Sequence, residues 1–222
     1  MTHTVVLVHG AWHGAWCWDK VVAGLSARRV PTIAVELPFD GLDADAAEAR
    51  KAIARAGAGA VVVGHSYGGV VISQAASGLG NVGHLVYLCA FMTGEDDDVG
   101  AMMAKYPSPL VPHMRVVDGR TVVDPAGAVD AFYGDCSKAD IDAALARLRS
   151  IPGVTLAGDQ RPAWHAVPST YVVCTEDRAI PPGAQHEMAR HATHVLEWPT
   201  SHSPFVSQPH RVVDLLDRLA NA

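Results

Sequence analysis

A serine set between glycines, Gly64-His65-Ser66-Tyr67-Gly68, directly follows the apolar run Ala60 to Val63 and precedes a segment with helical patterning. Strand, tight turn and helix is the context in which Gly-x-Ser-x-Gly carries chemistry. The turn presents the hydroxyl at the carboxyl edge of a parallel sheet, above the positive end of the following helix. The glycines are a steric requirement, since side chains beside such a turn would clash. A glycine-rich strand-to-helix turn without a nucleophile is the bland alternative. A serine hydroxyl is a poor nucleophile at neutral pH, so Ser66 needs a base, and the base needs a group that fixes its tautomer. Asp177, in Thr175-Glu176-Asp177-Arg178, and His202, in Ser201-His202-Ser203-Pro204, each follow a later apolar run. Ser, Asp, His is the chain order this architecture uses, with all three at one sheet edge. Glu176 is a rival for the acid, and Asp177 could instead be a surface carboxylate paired with Arg178. Of the 12 histidines, His202 alone is expected on a loop between the final strand and the final helix.

Attack on an acyl carbonyl creates an oxyanion that preorganised donors must meet, each contributing about 3 kcal/mol to the transition state. The backbone N–H of Tyr67, after the nucleophile, is one candidate; that of Ala11, in His9-Gly10-Ala11 after the first apolar run, is the other. The tandem copy His13-Gly14 is a rival placed farther from the strand end. Trp12, Trp16 and Trp18 in this stretch read first as packing residues. The acidic run Glu95-Asp96-Asp97-Asp98 reads as solvated charge, because hard-metal loops need spaced ligands and a turn glycine. Cys17, Cys89, Cys136 and Cys174 show neither metal spacing nor a disulfide framework, so mostly buried thiols are expected, with no metal and no cofactor.

The positioning elements follow from the alternation of Val/Ile/Leu runs with longer amphipathic segments, which points to an α/β fold: a doubly wound, mostly parallel sheet of about six strands. Strands are predicted at Thr4 to His9, Thr32 to Leu37, Ala60 to Gly64, Leu85 to Ala90, Thr170 to Thr175 and His194 to Trp198. Helices are predicted at Trp18 to Ala27, Asp43 to Ala56, Gly68 to Ser77, Pro182 to His191 and Gln208 to Leu219. Residues 93–168 are too many for one crossover and read as a small inserted cap in a single domain spanning 1–222. Within it, Met114 to Val117 and Thr121 to Val123 flank a turn at Asp118-Gly119-Arg120. Asp124 to Tyr133 and Lys138 to Arg149 have helical patterning.

With 222 residues, 49% hydrophobic and 18% charged, the chain is too apolar for disorder. A net charge of −6 without a basic block argues against nucleic-acid binding. Met1-Thr2-His3-Thr4 leads directly into an apolar run without signal-peptide features, and no run suggests a membrane span, so a cytoplasmic protein is expected. The expected partner is a small-molecule ester; a homodimer stays open.

These motifs resemble the α/β-hydrolase superfamily over nearly the whole chain. Within it, Leu7 to Trp16, Gly64 to Gly69 and Ser201 to Phe205 resemble bacterial esterases related to the plant methyl esterases and hydroxynitrile lyases. So do Ala90-Phe91-Met92, Phe132 to Cys136 and Val173 to Asp177. The resemblance implies a cofactor-free Ser-His-Asp site under a cap, acting on small, mostly apolar esters, with Phe91 and Met92 matching a pocket-lining segment. Two departures separate the chain from the lyases, which carry a lysine after the catalytic histidine and a threonine in the first loop; here these are Ser203 and Gly10. Ser203→Lys with Gly10→Thr is therefore the pair expected to move activity toward cyanide release. Against the plant methyl esterases the chain is shorter, mainly in the cap and after Pro38. A serine carboxylesterase is the reading that results, with lyase chemistry and a receptor-like ligand-binding role as its rivals.

Overall fold

The computed structural model describes residues 2–154, 156 and 162–222; Met1 and residues 155 and 157–161 of the expected cap lie outside them. The described chain runs β1 (Val5–Val8), α1 (Asp19–Ala27), β2 (Thr32–Val35), α2 (Leu42–Arg55), β3 (Ala60–His65), α3 (Gly68–Ala75) and β4 (Val82–Leu88). It continues with α4 (Val99–Lys105), β5 (Met114–Val117), β6 (Arg120–Val123), α5 (Pro125–Phe132) and α6 (Lys138–Leu145). It ends with β7 (Ser169–Cys174), α7 (Pro182–Ala189), β8 (His194–Trp198), α8 (Pro204–Ser207) and α9 (Pro209–Ala220).

Six strands form one sheet in the order β2-β1-β3-β4-β7-β8, and every pairing is parallel. The α/β-hydrolase fold expected from the motifs is the one observed. Parallel strands need crossovers, and crossover helices bury both sheet faces, which is why the strands are apolar throughout rather than alternating with polar residues. Successive side chains still point to opposite faces. Val5, Leu7, Val61 and Val63 pack with α1 and α9 on one side, and Val6, Val8, Val62 and Tyr87 pack with α2, α3 and α7 on the other. Helix α9 buries Val212, Val213, Leu215 and Leu216, each stabilising by about 1.5–3 kcal/mol.

Several boundaries differ from the sequence reading. β4 begins at Val82 because Gly83 is absorbed in a register shift against β3. It ends at Leu88 because Cys89 takes a positive φ of 37°. The β5–β6 turn has two residues, Asp118 (φ 50°) and Gly119 (φ 73°), so Arg120 is already in the strand. Two left-handed residues match the twist that joins adjacent strands tightly. Helix α6 stops at Leu145 rather than Arg149, whose N–H is drawn to Trp12 O at 2.8 Å. Helix α4 falls where no helix was expected, and the acidic run before it is only partly solvent-facing charge. Asp98 caps α4 through Ala101 N–H at 2.8 Å, and Asp97 pairs with His191 at 3.0 Å. Among the described residues no helix is long and apolar enough to cross a membrane. Cys17, Cys89 and Cys174 are buried free thiols and Cys136 is partly exposed.

Candidate active site

Ser66 sits between β3 and α3 with φ +53°, a conformation that costs a non-glycine residue of order 1 kcal/mol. The turn is held from outside: Ser66 O accepts from Phe91 N and from Gly69 N, both at 3.0 Å. The expected clash at the flanking glycines is real. A Cβ at Gly64 would lie 2.5 Å from Gly68 O, and one at Gly68 would lie 2.6 Å from Val8 O.

Asp177 and His202 arrive from the ends of β7 and β8. Asp177 is 4% exposed and His202 1%, and His202 Nδ1 meets Asp177 Oδ2 at 2.6 Å. Since an ionised carboxylate only accepts, Nδ1 carries the proton and Nε2 is left free to act as a base. The other oxygen, Oδ1, accepts from Ala179 N (2.7 Å) and Ile180 N (2.9 Å). Glu176, the rival acid, is exposed, and Arg178 pairs with Asp130 rather than Asp177. Ser66 and His202 both line a cavity of about 190 Å³.

Ala11, Tyr67 and Phe91 line the same cavity. Gly10 packs so closely on the serine that a Cβ there would lie 2.7 Å from Ser66 Cβ; the second copy, Gly14, faces Trp16 and Glu36 instead. Among the described residues, neither the Ala11 nor the Tyr67 backbone N–H is given to a protein acceptor. The Tyr67 side chain points away, its hydroxyl donating to buried Asp45 at 2.8 Å. Burial raises the Asp45 carboxyl and the Tyr67 phenol. Met92, unlike Phe91, is fully buried in the core and is not among the described residues of the cavity wall. Trp18 is buried against Phe205, ring centroids 4.8 Å apart, and Trp16 lies under the Arg147 guanidinium, so both pack as expected. Trp12 instead reaches the cavity.

Three further histidines surround this centre, each with a tautomer set by its neighbours. His9 Nδ1 donates to Gly10 O (2.9 Å) while Nε2 accepts from Leu37 N (3.0 Å). His13 Nδ1 donates to Ala11 O (2.9 Å) while Nε2 accepts from the Tyr133 hydroxyl (2.8 Å). His65 Nε2 donates to His202 O at 2.9 Å. Burial keeps all three neutral: it pushes His9 down to about 3, His13 to about 4, and His65 well below the ordinary imidazole range. His9 and His13 therefore clamp the carbonyls of the Gly10-Ala11 loop, and His65 anchors the backbone of His202. The possible ligand atoms of His65, Cys89 and His202 gather within 4.8 Å of one another. Cys89 Sγ is already engaged: it also donates to His202 O, at 3.4 Å, and burial keeps that thiol protonated.

The sequence reading missed Gln185, which is fully buried in α7. Its Nε2 donates to Asp177 Oδ2 (2.8 Å) and Ile180 O (2.7 Å), and its Oε1 accepts from Cys174 N (2.9 Å). A glutamine facing the core in an otherwise apolar helical stripe was the available signal. The remaining cavity wall is apolar, with Met103, Leu110, Phe132 and Ile180 among its residues. Ser108, a polar exception, already donates to Ala179 O at 2.6 Å.

The fold agrees with comparisons to known proteins. The chain is 27% identical to the alpha/beta hydrolase nvfD of Aspergillus novofumigatus, covering 97% of this chain and 96% of that one. It is also 27% identical to methylesterase 7 of Arabidopsis thaliana, over 97% and 95%. The structure of polyneuridine aldehyde esterase superposes with a TM-score of 0.85 at 20% identity, covering 99% of this chain and 100% of that chain. Residues 5–215 match the model of the alpha/beta hydrolase family, and the chain belongs to that family.

Proposed function

We propose that the protein is a serine carboxylesterase that hydrolyses a small, uncharged, largely apolar ester through an acyl-enzyme. The observation that carries this reading is the buried Asp177–His202 pair, with His202 and Ser66 on the wall of one apolar cavity. Ser66 Oγ attacks the ester carbonyl as His202 Nε2 takes its proton, and the Ala11 and Tyr67 N–H groups receive the oxyanion. His202 then gives the proton to the departing alcohol. Water, activated by the same imidazole, attacks the acyl-enzyme and releases the acid. The segment 93–168 acts as a cap within one domain, since much of the cavity wall, from Met103 to Leu156, comes from it. Methylesterase relatives support the ester reading, and a cavity barely larger than the ~150 Å³ that holds one benzene supports a small acyl group.

The test is turnover of p-nitrophenyl acetate by wild type and Ser66→Ala. Wild type is expected to show repeated turnover and Ser66→Ala a loss of at least about 10³-fold with the fold intact. Tight binding with a single turnover by wild type would move the protein to the receptor-like role, and a folded Ser66→Ala with full activity would end the covalent mechanism.

A further inference from the structure

Among the described residues, Trp12 is the only one that lines both the catalytic cavity and a second cavity of about 210 Å³. The second space is bounded by Val122, Val123, Pro125, Leu145 and Leu148, with Arg149 and Ser150 at its side. Arg149 brings no free charge to it, because its guanidinium is engaged by Glu36 and by Leu37 O. The second space is thus bounded by apolar side chains on one side and by the polar Arg149 and Ser150 on the other, and Trp12 is the residue the two spaces share.

Two contacts fix the indole, and a third, through the Trp12 backbone carbonyl, holds the main chain beneath it. Its Nε1 donates to Thr121 O at 3.2 Å, its ring stacks on Phe132 with centroids 5.9 Å apart, and its own carbonyl accepts from Arg149 N at 2.8 Å. Its backbone is left-handed, φ +61°, a conformation that glycine adopts freely and tryptophan does not. Position 12 thus carries the bulkiest side chain at a place where backbone geometry favours none, and that residue lines the catalytic cavity.

On this basis, and resting on the esterase reading above, we propose that Trp12 is the specificity-determining partition that limits the length of the acyl group. The second cavity is the space a longer chain would enter if the partition were removed. Acetyl and similar short acyl groups fit in front of the indole; an octanoyl chain fits only by extending past position 12.

The experiment compares kcat/KM for p-nitrophenyl acetate and p-nitrophenyl octanoate in wild type, Trp12→Gly and Trp12→Leu, with folding checked by circular dichroism. The octanoate-to-acetate ratio is expected to rise at least about tenfold in Trp12→Gly, the scale on which a few methylenes in an apolar pocket discriminate. Trp12→Leu, which keeps an apolar side chain at this position, is expected to shift in the same direction and secures the test if the glycine variant is unstable. Adding Leu148→Trp to either variant refills the second cavity and is expected to return the ratio toward wild type. A ratio unchanged within about twofold in a folded variant, or a shift that survives Leu148→Trp, overturns the assignment. If wild type hydrolyses neither ester, it is the esterase reading that has failed, and this inference falls with it.

Discussion

Gln185 Nε2 donates at 2.8 Å to the same Asp177 oxygen that faces His202 Nδ1 at 2.6 Å. That oxygen thus has two partners, and the second oxygen has two backbone donors, so the carboxylate cannot rotate without breaking several bonds at once. Gln185→Met is expected to free that rotation and to orphan the buried Cys174 N–H. Unfolding should show a stability loss of about 1–3 kcal/mol, and kcat should fall while KM changes little. A variant that loses stability alone would reduce Gln185 to a packing residue.

Asp177→Asn separates charge from shape. The two backbone N–H groups at Oδ1 select the amide oxygen for that side, which turns the amide NH₂ toward His202. Nδ1 must then accept, so the proton moves to Nε2, the wrong nitrogen for a base. A loss in kcat of about 10⁴ is expected, whereas Glu176→Gln, on an exposed side chain, is expected to leave kcat within about twofold. Stopped assays on both variants decide which carboxylate serves the histidine.

The parts of the site that lie on main-chain turns were legible from the chain itself. Gly64 and Gly68 are excluded from having side chains by backbone atoms close in sequence or one strand away, and the apolar run before Ser66 marks the strand that sets the turn. The parallel six-stranded sheet follows from the alternation of apolar runs with amphipathic segments. What was not legible depends on contacts between distant segments. Gln185 becomes meaningful only when α7 packs beside the end of β7. Trp12 becomes a cavity wall only when Thr121, Phe132 and Arg149 close around it. Helix α4 hid because its cap, Asp98, sits inside a run of carboxylates that reads equally well as surface charge.

Acid should unfold this protein over an unusual window. His9, His13 and His65 are held neutral in the fold by burial, with His9 near 3 and His13 near 4, and His65 is also shifted down. In the unfolded chain each takes up a proton near pH 6.5. Below that value the unfolded state binds more protons, so stability is fully present above about pH 6.5 and is lost as pH falls toward the folded values. Each histidine contributes a slope of up to about 1.4 kcal/mol per pH unit. Urea unfolding between pH 7 and pH 5 is expected to show this steep dependence, and His13→Gln, which cannot titrate, should remove about one histidine's share of the slope. A flat profile over that interval would mean that these imidazoles are protonated in the fold.

Cyanohydrin cleavage is expected to be absent, and the geometry makes it hard to introduce. Among the described residues, none of those lining the catalytic cavity is Lys or Arg, so a departing cyanide finds no cation. Ser203, where the related lyases have lysine, is fully buried, and a hydroxyl offers a hydrogen bond but no net charge. Lysine at this position would bring an ammonium into a buried site whose catalytic carboxylate, Asp177, is already committed to His202, Gln185 and two backbone donors. Burying such a charge costs several kcal/mol, and the side chain would lose its proton or unfold its surroundings. The partner change fares worse than the motif comparison suggests. A threonine at position 10 would place its Cβ 2.7 Å from Ser66 Cβ and 2.9 Å from His65 Nδ1, displacing the serine or the imidazole that anchors His202. Wild type is therefore expected to release no cyanide from mandelonitrile above background while it hydrolyses small esters. The double variant Ser203→Lys with Gly10→Thr is expected to lose the ester activity without acquiring the other. Cyanide release and ester hydrolysis measured on one preparation of each protein decide the matter: efficient release by wild type that disappears in Ser66→Ala would replace the esterase with a lyase.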